Sequence, residues 1–60
     1  MSTIYNPESE TIAQIERLEL EAREVLKRIE HAGSAEDKRV LNRQLNELES
    51  QVEVLRSHLP

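Results

Sequence analysis

The side chains in this chain best equipped for chemistry are five serines, at positions 2, 9, 34, 50 and 57, two histidines, His31 and His58, and glutamates in pairs such as Glu16 with Glu19 and Glu49 with Glu53. Nucleophilic catalysis would require a serine beside a histidine that a third group orients, inside a concave and partly dry pocket. If the chain folds as a helical hairpin, no histidine is brought beside a serine with a third residue to orient it, and two helices alone cannot enclose such a pocket. His31 falls near the turn and His58 at the open end, roughly 35 Å apart at 1.5 Å per helical residue, too far for one metal ion within one hairpin. There is no cysteine to add a thiolate ligand, and glutamate pairs without a nearby histidine motif are weak metal candidates. Gly33 is the only glycine, so no glycine-rich phosphate loop exists. The sequence therefore predicts no catalytic, metal-binding or cofactor-binding residue, and no enzyme.

The elements that would have held such groups are legible in the apolar spacing. Ile15, Leu18, Ala22, Val25, Ile29 and Ala32 follow one another at threes and fours, as do Leu41, Leu45, Leu48, Val52, Leu55 and Leu59. That spacing keeps one stripe in register along a helix, whereas a strand would need a period of two. The fold class read from it is all-α, an antiparallel two-helix hairpin resembling a coiled coil, with one domain over residues 1–60. Helix 1 is expected over about 7–32, a turn at 33–34, and helix 2 over about 35–58.

Local chemistry marks the ends. Asn6, Pro7 and Glu8 read as N-cap, first helical residue and dipole-complementing acid, because the N–H that proline lacks is unpaired at that position anyway. Tyr5 could fold back onto the first turn. Gly33 is expected to close helix 1 in the left-handed conformation, and Ser34 to cap helix 2 in a capping-box-like exchange with Asp37. A link this short forces antiparallel neighbours. Glu19 with Arg23, Glu24 with Arg28, and Arg43 with Glu47 are expected to pair at i,i+4 on outer faces.

With Ile15 and Leu45 as heptad a positions, the hairpin seam comprises Ile15, Leu18, Ala22, Val25 and Ile29 on helix 1, and Leu41, Leu45, Leu48, Val52 and Leu55 on helix 2. Several apolar residues fall outside it. Ile12 and Leu26 lie at e, Leu20 at f, and Val40 and Val54 both at c. A hairpin burying only its own seam has no use for them, so Leu20, Val40 and Val54 are the expected partner-binding residues.

Hydrophobic residues form 37% of the chain and charged residues 33%, the balance of a long helix or coiled coil. The net charge of −4 argues against nucleic acid, whose affinity for proteins comes largely from Lys and Arg neutralising phosphates. No apolar run approaches the ~20 residues needed to span a bilayer, and Met1 to Tyr5 carry neither a basic group nor a long apolar stretch. The expected location is the cytoplasm. Chains of this size seldom draw more than about 3 to 5 kcal/mol from a single core, so a protein partner or self-association is expected.

The run Ala32-Gly33-Ser34-Ala35, followed by Val40, Arg43, Leu48-Glu49-Ser50, Val52, Val54 and Leu55, resembles the small E-type co-chaperones of the type III secretion needle subunit, the YscE/PscE type. The resemblance covers residues 32 to 55; helix 1 is similar in pattern and length. It implies a cytoplasmic co-chaperone that pairs with a helical-repeat chaperone and keeps the needle subunit from polymerising early. The alternative is a homodimeric four-helix bundle with a regulatory or adaptor role. An RNA-binding version of that bundle would want clustered Lys and Arg, and here they are dispersed. Sporulation-regulating phosphatases are also hairpins, with a Ser-Gln-x-Leu-Asp motif. The corresponding Asn42-Arg43-Gln44-Leu45-Asn46 keeps only the leucine, and an amide replaces the acid.

Overall fold

A computed structural model describes residues 7–59 of the chain. The expected cap at Asn6 and the fold-back of Tyr5 lie outside the described residues. Two α-helices, α1 (Pro7–His31) and α2 (Ala35–Ser57), pack against each other along their length, with no strand among the described residues. The molecule is a two-helix hairpin.

α1 begins on Pro7, whose fixed φ suits the first helical position. The Thr11 hydroxyl donates to the Pro7 carbonyl at 2.9 Å, and Glu8 and Glu10 place negative charge against the positive end of the helix dipole. The last turn tightens as Ala32 N–H donates to the Ile29 carbonyl at 3.2 Å, an i→i−3 bond. The helix ends at His31, and the link is Ala32-Gly33-Ser34.

Gly33 does not take the left-handed conformation expected of it: no glycine has a positive φ, and a Cβ built on Gly33 would meet nothing within 4 Å. Within the link it is Ser34 that is extended, at φ −134° and ψ 156°. Such a turn makes no demand that only glycine can meet. The Ser34 Oγ accepts from the Asp37 N–H at 3.1 Å, while the Ser34 carbonyl accepts from the Lys38 N–H at 3.1 Å and opens the helical ladder. The capping exchange is one-sided, because the Asp37 carboxylate returns no bond to Ser34. An aspartate is one methylene shorter than the glutamate that usually completes it.

At the far end, His58 and Leu59 N–H groups donate to the Leu55 and Arg56 carbonyls, each at 3.1 Å, and the Ser57 hydroxyl donates to the Val54 carbonyl at 2.6 Å. Arg56 lies in this last turn, where positive charge suits the dipole.

The core is thin. Among the described residues only Ile15, Val25, Leu48 and Val52 are buried; of the apolar ones Leu18, Ala22, Ile29, Ala32, Leu41, Leu45, Leu55 and Leu59 are half-buried. Every one of these residues belongs to the a and d positions, because two helices in contact can shield only a narrow stripe on each. The remaining sides of both rods face solvent.

Candidate functional site

A hairpin of two rods has two flanks, one on each side of the seam. In an antiparallel pair, e positions of one helix lie beside e positions of the other, and g beside g. On the e side the groove is lined by Glu19, Ala22, Arg23, Glu49, Val52 and Arg56. There the Arg56 Nη2 donates to Glu19 Oε2 at 2.7 Å and bridges the helices. Arg56 lies farther from the turn than Glu19. Helical side chains lean toward their own N-terminus, so in antiparallel helices these two lean toward each other.

This geometry corrects the expected ion pairs. Glu19 is not on an outer face and does not pair with Arg23; its carboxylate is taken across the seam by Arg56. Glu24 pairs with Lys27 at 3.8 Å, not with Arg28. Arg43 and Glu47 form no ion pair. Their exposed side chains are free to remain solvated, which for a pair worth only ~0.3 to 0.5 kcal/mol costs little.

The g side is different in kind. A groove of about 530 Å³ runs there between the helices, lined by Gln14, Arg17 and Leu18 of α1 and by Ser50, Gln51, Val54 and Leu55 of α2. Leu18, Val54 and Leu55 give it an apolar surface, the two glutamines and the serine a neutral rim. Arg17 is its one charged group, and no described residue forms an ion pair with it.

The expected partner residues are all on the outside: Leu20 is 58% exposed, Val40 62% and Val54 56%. They do not form one patch. Val54 lines the g-side groove, and Val40, on the same side of α2, lies two heptads nearer the turn, roughly 21 Å away at 1.5 Å per residue. Leu20, at f, points almost opposite the seam, so the width of α1 separates it from α2. Ile12 and Leu26, also exposed, flank the e side of α1.

The residues named first for chemistry are scattered. His31, Ser34, Ser50, Ser57 and His58 are all exposed, and no described residues form a group of three or more His, Cys, Asp or Glu that could hold a metal ion. No described helix is long and apolar enough to cross a membrane. The roles of Gln14, Arg17, Ser50 and Gln51 as groove lining were not read from the sequence. Their signal was present in the heptad register, which puts Gln14 and Gln51 at g and Arg17 at c, beside Val54.

The fold thus defines an all-α helical hairpin with one bridged and one open flank. Compared with known proteins, the chain matches no family model, no curated protein and no solved structure.

Proposed function

We propose that this hairpin is a non-catalytic protein-binding module. The observation that carries the reading is the imbalance between core and surface: among the described residues four side chains are buried, whereas five large aliphatic ones, Ile12, Leu20, Leu26, Val40 and Val54, stand 45–62% exposed. Scattered surface apolars are ordinary, but here they outnumber the core of a chain that has no disulfide to stiffen it. A partner that binds the folded hairpin would stabilise it by mass action.

The finer reading draws on the resemblance of residues 32 to 55: a cytoplasmic co-chaperone that joins a helical-repeat chaperone in holding a type III secretion needle subunit unpolymerised. Sedimentation of the purified chain, alone and mixed with such a chaperone and needle subunit, tests both levels. The expected result is a marginally stable chain that co-sediments with the chaperone and melts at a higher temperature in the complex. A chain that neither associates with any protein nor gains stability from one would overturn the protein-binding reading. Binding to other proteins but not to that chaperone would remove the finer one.

A second reading is favoured by Ile12 and Leu26, which widen the apolar stripe of α1 on the e side toward the three-in-seven face of a bundle helix. On that reading two copies form a four-helix bundle. A tight homodimer indifferent to helical-repeat partners would put this reading first.

A further inference from the structure

We propose that the open flank between α1 and α2, around Leu18, Val54 and Leu55, receives a single amphipathic helix of a different protein, aliphatic on the face it inserts and acidic where it passes Arg17. This rests on the protein-binding reading above and gives it a side and a partner chemistry.

The two flanks are not equivalent. On the e side the Glu19 carboxylate and the Arg56 guanidinium span the seam at 2.7 Å, with Arg23 and Glu49 beside them. A helix entering there would have to strip water from four charged groups or break the bridge, and desolvating ions is costly. On the g side no side-chain hydrogen bond or ion pair among the described residues spans the groove, and its lining is apolar or neutral apart from Arg17. The groove is open, spans residues 14–18 of α1 and 50–55 of α2, and is bounded by one helix on each side, so that a turn of a third helix lying along the pair could seat in it.

Arg17 sets the charge of the occupant. It is exposed and forms no ion pair with a described residue, in a chain whose net charge is −4. A carboxylate on the flank of an incoming helix would find there the one cation of the groove. Gln14 and Gln51 can donate and accept at its rim without imposing a charge. A second copy is a poorer occupant, because through the same flank it would set one concave surface against another and Arg17 against Arg17.

The test uses the full chain, labelled with ¹⁵N, and two designed helical peptides of three heptads, both with leucine at a and d. One carries glutamate at the flanking positions and the other lysine. The expected result is that the glutamate peptide shifts the amide resonances of Leu18, Gln51, Val54 and Leu55 and binds about fivefold tighter than the lysine peptide, the scale of one exposed charge pair. Arg17→Glu should reverse that preference, and Val54→Ser should weaken the glutamate peptide without altering the fold seen in the spectrum of the free chain. Equal affinities, no shifts, or shifts confined to Ala22, Glu49 and Arg56 would each overturn the proposal. Shifts at the groove that grow with chain concentration and need no peptide would identify a second copy as the occupant and overturn it as well. Binding on the opposite flank would leave the protein-binding reading standing; only failure to associate with any protein removes that.

Discussion

Arg56 and Glu19, 37 residues apart in sequence, meet at 2.7 Å across the seam, the one interhelical ion pair among the described residues. Both are only partly shielded, with side chains 58% and 40% exposed. A bridge this wet registers the helices more than it stabilises them. Glu19→Gln, Arg56→Gln and the double variant should give a coupling energy of about 0.2 to 1 kcal/mol from urea melts, shrinking in 1 M salt. Zero coupling at low salt would show that the contact does not persist in solution.

Leu48 and Val54 lie six residues apart on one helix, one buried at 7% exposure and the other at 56%. Leu48→Ala should cost about 2 to 5 kcal/mol, comparable to all the stability a chain of this size holds, so the isolated variant should be largely unfolded. Val54→Ser should leave the thermal melt of the monomer nearly unchanged while weakening association. Equal loss of helicity in the two monomeric variants would show that the seam runs along a different stripe.

Ser34 accepts the Asp37 N–H through its side chain, satisfying one of the unpaired donors at the start of α2. Ser34→Ala removes that acceptor and should cost about 1 kcal/mol. Ser34→Asp, which restores an acceptor and adds charge of the right sign for the dipole, should recover it. Chemical denaturation of the three chains decides the point, and a Ser34→Ala variant as stable as the parent would count against the cap.

Gly33 is a site where substitution should help. Its φ is not positive and a Cβ would have open space around it. Gly33→Ala should therefore stabilise by about 0.4 to 1 kcal/mol, by reducing the freedom of the unfolded chain. In a domain of this size 1 kcal/mol moves the melting temperature by about 4 to 8 °C, so the gain is measurable by calorimetry. A drop in melting temperature would restore the left-handed turn that the sequence suggested.

The sequence by itself determined the elements of this protein. Threes and fours between Ile15 and Ala32 and between Leu41 and Leu59 fix which stripe of each helix is apolar, since the angle per residue is set by backbone hydrogen bonding. Pro7 and Ser34 mark where helices start because few residue types solve the problem of unpaired N–H groups. The tertiary structure decided what local periodicity cannot express. Whether Glu19 reaches along its own helix to Arg23 or across to Arg56 depends on the register of two rods, and the contact is made between residues that sequence distance conceals. Gly33 is compatible with a left-handed turn, yet the packing of α1 on α2 is met by a link in which Gly33 does not use that freedom and Ser34 is extended. The difference between the bridged flank and the open one likewise arises only when both helices are in place. Each flank is built half from α1 and half from α2, so neither helix's pattern alone contains it.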